Sequence, residues 1–225
     1  MIGAAGSGPE STPADAHTPN PGGRRIGLLG GTFDPPHFGH LAAAVNVRHA
    51  LDLDEVLLVV AGSPWQKEGT RPISPAADRL AMVEAAVAGV PGVSASSIEV
   101  NRPGPSYTID TVHELRAAAP DIDLYLVLGI DAAALITTWE RYGELVRTCH
   151  LVAVDRPGPP ADLPPVADWI RVEVPHLDIS STDLRARFVD GRPLDFLLPP
   201  AVIGVARERG LYGPVTASAT GACPP

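Results

Sequence analysis

The chain has 225 residues, 45% of them apolar, and a formal charge of −9; this is material for one large domain with a sizeable core, and the wrong sign for a general nucleic-acid binder, which carries a basic face. No stretch of 18 uninterrupted apolar residues suggests a membrane span, and the N-terminus lacks the basic and apolar regions of a secretory signal. Two cysteines, Cys149 and Cys223, form neither a metal spacing nor a disulfide framework, which points to a reducing cytoplasm.

Residues 1–23 are rich in Gly, Pro, Ser and Ala without apolar periodicity and read as a disordered leader; residues 214–225 read as a disordered tail. Between them, 24–213 read as one domain without internal repeats. Short apolar runs predict strands at Arg25–Gly30, Glu55–Ala61, Val93–Val100, Asp123–Leu128, Leu151–Asp155 and Ile170–Val174. Helical patterns fall near His40–Ala50, Pro75–Ala88, Ile109–Ala119, Ala132–Ile136, Tyr142–Thr148, Thr182–Val189 and Pro200–Arg209. Strand–helix alternation predicts an α/β fold, Rossmann-like and doubly wound, with a mainly parallel sheet covered by helices on both faces. Continuously apolar strands suit burial on two sides. Ligands of such sheets bind beyond the carboxyl ends of the strands, so chemistry is expected in the loops that follow them.

The first such loop, GGTFDPPHFGH, leaves strand one directly. Gly30 and Gly31 let the backbone turn tightly and approach a ligand. Pro35 and Pro36 suit entry into a helix. His37 and His40, three apart, share one face of the first helical turn. A helix start after a strand offers unpaired N–H groups and a positive dipole end to an anion, and two imidazoles add donors for phosphate oxygens. The alternative is a tight turn bearing two surface histidines. Neither GxGxxG nor GK[ST] is present, so the loop is not a dinucleotide fingerprint or a Walker A loop.

The second loop, ISSTDLR at Ile179–Arg185, follows the last predicted strand. Ser180 and Asp183 fit the S-x-x-[DE] capping pattern. One reading is an ordinary capped helix. The other is a second anion-binding helix start with hydroxyls from Ser180, Ser181 and Thr182, and with Arg185, whose forked donors match phosphate oxygens.

Together these motifs, His37-Phe38-Gly39-His40 and Ile179–Arg185, resemble those of the HxGH nucleotidyltransferase superfamily. The similarity to its bacterial nicotinate-nucleotide adenylyltransferases runs from Arg25 to Tyr212. It includes PSYTIDT at Pro105–Thr111, LGID at Leu128–Asp131, TTW at Thr137–Trp139 and RPG at Arg156–Gly158. Ser63-Pro64-Trp65-Gln66-Lys67 stands where many members carry Pro-His-Lys, and resembles the actinobacterial version. The resemblance implies a Rossmann-like fold, with ATP and nicotinate mononucleotide as substrates and Mg²⁺ held mainly by the ATP phosphates. It places Gly31, Thr32, Phe33, His37, His40, Gly129, Ser180, Ser181, Thr182 and Arg185 at ATP, with His37, His40 and Arg185 catalytic. It places Lys67, Thr108, Asp131, Trp139 and Arg156 at the mononucleotide: Lys67 and Arg156 on its phosphate, Asp131 near a ribose, Thr108 and Trp139 around the nicotinate ring. No protein ligand to the metal is implied, and no nucleic acid or membrane is expected as a partner.

Such a transfer asks a protein for positioning and charge stabilisation and needs no covalent nucleophile; neither cysteine falls in a site motif. Trp139 has two readings, a core residue or a platform for the pyridine ring. His113, His150 and His176 match no metal spacing and read as structural, and His49 closes a helix. Asp52, Asp54 and Glu55 read as a solvated turn. Rival activities are transfer to nicotinamide mononucleotide or to pantetheine phosphate, and a nucleotide-sensing module that has lost catalysis. Intact HxGH and Arg185 speak against the last.

Overall fold

A computed structural model describes residues 22–64, 72–155, 162–175 and 177–213. The leader through 21, the tail from 214, and Lys67, Arg156 and His176 lie outside the described residues. Six strands, β1 (Arg25–Gly31), β2 (Glu55–Val60), β3 (Val93–Ser96), β4 (Asp123–Gly129), β5 (His150–Asp155) and β6 (Ile170–Glu173), form one sheet in the order β3-β2-β1-β4-β5-β6. Every neighbouring pair is parallel. The helices are α1 (Phe38–Ala50), α2 (Ala76–Val87), α3 (Thr108–Ala118), α4 (Ile130–Ala134), α5 (Tyr142–Thr148), α6 (Ser181–Asp190) and α7 (Pro200–Glu208).

Alternation along the strands divides the core in two, because successive side chains leave opposite faces of a sheet. Val56, Leu58 and Val60 of β2 join Tyr125 and Val127 of β4 on one face, under α1, α2, α6 and α7. Ile26 and Leu28 of β1 join Leu124, Leu126 and Leu128 on the other, under α3, α4 and α5. The doubly wound, Rossmann-like reading of the sequence holds, with parallel pairing throughout. None of the helices among the described residues is long and apolar enough to cross a membrane.

Three local expectations are revised. β3 ends at Ser96, not Val100: its pairing with β2 covers Val93–Ser96, and residues 98–100 then turn. α4 begins at Ile130 and is followed by a 3₁₀ turn over Ile136–Thr138, so the helix expected at 132–136 is two short pieces. The acidic turn before β2 is not merely solvated. Asp54 accepts the backbone N–H of Arg25 at 2.7 Å, and Glu55 receives both the Arg24 guanidinium and the Ser94 hydroxyl, clasping the starts of three strands. His113 and His150 are structural as read: His113 meets Glu144 of α5 at 2.8 Å, and His150 meets buried Asp123 at 3.1 Å.

Candidate active site

β1 runs towards solvent between β2 and β4, where the strand order reverses direction in sequence, and a crevice must open beyond that switch point. A cleft of about 310 Å³ lies there. Gly30 and Gly31 line it from β1, Thr32 from the loop after it, Gly129 from β4, and Thr108 and Trp139 from the elements beyond. Trp139 is half-buried and packs against the second core while also lining the cleft. Asp131 is exposed on the first turn of α4 and is not part of the lining, although its neighbour Ala132 is.

The β1–α1 loop carries the histidines. His37 is the residue that caps α1, not a member of its first turn. Its backbone N–H donates to His40 Nδ1 at 3.1 Å, which leaves the His40 proton on Nε2. The two rings stack with centroids 3.7 Å apart, and the edge of Phe33 meets His40 at 5.0 Å. The His37 ring also lies over Gly39, where a Cβ would sit 3.0 Å from it, so a larger residue there would press on the ring and disturb the stack. Burial drives the His37 pKa down to about 4, so this imidazole is neutral at physiological pH.

The second motif closes onto this loop across some 150 residues of sequence. Ser180 caps α6 by accepting the Asp183 N–H at 3.2 Å. Asp183 does not complete a reciprocal box; its carboxylate pairs with Arg187 and Arg192. Ser181 donates its hydroxyl to the Pro35 carbonyl at 2.9 Å, and Arg185 donates to the Asp34 carbonyl at 2.8 Å and to the Thr182 hydroxyl at 3.1 Å. The two motifs are therefore one site, with hydroxyls and a guanidinium facing the histidine loop.

Residues that the motifs do not include hold this loop. Arg79 of α2 is 1% exposed and donates to the carbonyls of Ser74 (2.9 Å), Thr32 (2.9 Å) and Gly62 (3.1 Å), tying the loops after β1 and β2 together. Its signal in the sequence is a charge at an apolar position: Arg79, Met82, Val83 and Ala86 form the buried stripe of α2. Asp34 is buried, and its carboxylate accepts the Tyr212 hydroxyl at 2.6 Å. Burial and that carboxylate both raise the pKa of Tyr212. Cys149 is buried, and its thiol is pushed up to about 12, which keeps it inert.

The donor set fits phosphate. Amide N–H groups at two helix starts, imidazole, hydroxyls and a guanidinium all donate, and Asp34 is turned to Tyr212. An α/β sheet with such a set at its switch point defines a nucleotide-handling enzyme, and residues 28–187 match the family model described as cytidylyltransferase-like. Proteins named as probable nicotinate-nucleotide adenylyltransferases are similar over most of their length. That of Acidothermus cellulolyticus is 44% identical over 198 residues, covering 84% of this chain and 94% of the relative. That of Streptomyces coelicolor is 46% identical over 187 residues, covering 82% and 98%. The chain belongs to the cytidylyltransferase-like family and, within it, to the nicotinate-nucleotide adenylyltransferases. The fold is shared with the Plasmodium falciparum nicotinic acid mononucleotide adenylyltransferase complexed with NaAD, at a TM-score of 0.71 and 18% identity, covering 84% of this chain and 97% of that one.

Proposed function

We infer that the protein transfers the adenylyl group of ATP to nicotinate mononucleotide, forming deamido-NAD and pyrophosphate in the cytoplasmic synthesis of NAD. One observation carries the chemistry: Ser181 and Arg185 of α6 bond to the carbonyls of Pro35 and Asp34, which joins the second motif to the β1–α1 loop, and the residues leading into that loop, Gly31 and Thr32, line the cleft together with Thr108 and Trp139.

In this reading a phosphate oxygen of the mononucleotide attacks the α-phosphorus of ATP while the bond to pyrophosphate breaks. No covalent enzyme intermediate forms. The N–H groups around Gly31, Thr32 and Phe33 and at the start of α1 approach the triphosphate. His37, a neutral donor, and His40, with its proton on Nε2, offset charge that grows at the α-phosphorus. Arg185, with Ser180, Ser181 and Thr182 around it, receives the departing pyrophosphate. Gly129 leaves space beside the adenosine. Thr108 at the start of α3 and the Trp139 ring take the nicotinate end, and Asp131 lies toward a ribose. Lys67 and Arg156 remain candidates for the mononucleotide phosphate. Mg²⁺ would be held mainly by the ATP phosphate oxygens and water rather than by protein side chains, and would offset charge on the triphosphate.

The test is pyrophosphate release. With nicotinate mononucleotide, kcat/KM should exceed that with nicotinamide mononucleotide by at least about tenfold, or about 1.4 kcal/mol. Equal values would remove the claim to nicotinate, and no release with either would remove the activity.

A further inference from the structure

The cleft is lined by a segment leaving β2 (Ala61, Pro64) and by one entering α3 (Ser106, Tyr107, Thr108). These segments are more than 40 residues apart in sequence, and one hydroxyl joins them. Ser106 Oγ accepts the N–H of Gly62 at 2.9 Å and that of Ser63 at 3.1 Å. A serine hydroxyl has two lone pairs, and both are spent on these two amides. The carboxylate of Glu99 interacts with the same hydroxyl.

Glu99 faces that hydroxyl from the other side of the junction. It sits in the turn after β3, 7% exposed, and lines the same cleft. Thr111 of α3 donates to its Oε1 at 2.7 Å, and Arg102 donates in turn to Thr111 Oγ1 at 3.1 Å. The backbone of Glu99 also meets the β2 segment directly: a Cβ at Gly62 would overlap the Glu99 carbonyl oxygen. A second strand, Ser106 N–H to the Ser63 carbonyl at 3.1 Å, closes the junction. A buried carboxylate is costly unless it accepts hydrogen bonds, and here the Thr111 hydroxyl supplies one while Ser106 interacts with it from the other side of Tyr107 and Thr108.

We propose that Glu99 and Ser106 act as a positioning pair that sets the spacing between the Gly62–Ser63 and Tyr107–Thr108 segments, and thereby tunes affinity for the acceptor mononucleotide rather than for ATP. The proposal rests on the reading of this cleft as the nicotinate mononucleotide site. Ser106 touches no reacting atom in that reading; it acts through the two backbone segments. Arg79 links the Gly62 carbonyl to that of Thr32, but α6 holds the β1–α1 loop at Pro35 and Asp34 without the pair, so losing the pair leaves the phosphate-type motifs in place.

The variants are Ser106→Ala, Ser106→Thr and Glu99→Gln, each in the full chain. Glutamine keeps the shape of glutamate but exchanges one acceptor for a donor, so it disturbs the Ser106 hydroxyl without leaving a cavity. For Ser106→Ala and Glu99→Gln, KM for nicotinate mononucleotide should rise on the order of tenfold, while kcat and the KM for ATP stay within about threefold. Ser106→Thr keeps the hydroxyl and should restore most of the loss. Amide hydrogen exchange, measured without substrate, should accelerate at Gly62 and Ser63 in Ser106→Ala and return toward wild type in Ser106→Thr. Wild-type turnover judges the activity by itself, and the exchange experiment judges the pair whatever the substrate proves to be. Unchanged exchange at both amides, an unchanged mononucleotide KM, or a loss confined to kcat would overturn the proposal. Unfolding of all three variants would make the junction a plain folding element and overturn it equally.

Discussion

His37 and His40 stand ring to ring, yet their environments differ. His37 is buried and its pKa lies near 4, well under the ordinary value of about 6.5. The sign follows: between those values the unfolded chain binds a proton that the folded one refuses, so stability rises with pH across this window and is lost as pH falls from about 6.5 toward 4. The loss is on the order of 3 kcal/mol at most from this residue. Denaturant unfolding of wild type and His37→Asn at pH 7 and pH 5 should show a smaller pH dependence in the variant; equal slopes would contradict it. Trp139 makes a different prediction because it packs on the core and lines the cleft. Trp139→Ala should raise KM for nicotinate mononucleotide by roughly 1–3 kcal/mol of lost stacking and also lower Tm. Trp139→Phe should recover part of both. A lowered Tm with an unchanged mononucleotide KM would return Trp139 to the core alone.

Among the elements, α6 does the joining. Its start is a true cap, with Ser180 accepting the Asp183 N–H, and its end is a left-handed Gly191 at φ 78°, which closes a helix at little steric cost. Between them, Leu184 is buried in the core and anchors the helix beneath the β1–α1 loop. Arg185 then spans from Thr182 to the Asp34 carbonyl with separate nitrogens, which a single ammonium cannot imitate. Arg185→Lys should therefore lower kcat/KM for ATP by about 10–100-fold while Tm moves by only a few degrees. Steady-state kinetics at saturating mononucleotide, alongside a melting curve, would check this. A variant with wild-type kcat/KM would show that charge alone suffices.

Across the whole molecule, the sheet separates its two tasks by its two edges. The carboxyl ends of β1, β2 and β4 carry the cleft, and the amino ends carry a polar knot. Buried Asp123 at the start of β4 accepts from the Tyr125 hydroxyl at 3.2 Å and meets His150 at 3.1 Å, and Arg25 donates to the same Tyr125 hydroxyl at 2.9 Å. Asp123→Asn would replace one acceptor with a donor against these partners. The expected cost is about 1–3 kcal/mol of stability, with both KM values unchanged because the knot is at the far end of the strands. Denaturant titration with kinetics on the same preparation checks it; a shifted KM would mean the two edges are coupled.

Element type and order were legible in the sequence because they depend on local periodicity: α5 falls at Tyr142–Thr148 as expected, and the bounds of the other helices lie within two residues of expectation. Both loop motifs stand out in the sequence too, since each is a contiguous run of residue types suited to one anion, but that they meet is decided by the fold. Tertiary structure decided the rest. β3 stops at Ser96 because its pairing with β2 stops there, and Glu99 becomes buried because the turn that follows packs on Gly62. Arg79 looks like a surface charge in isolation, and only folding brings three carbonyls to it. Asp131 lies in a motif yet stays exposed outside the cleft lining. The physical reason is common to all four: a residue's burial and hydrogen-bond partners are set by the segments packed against it, many of them distant in the chain, and local sequence pattern carries no record of which segment that will be.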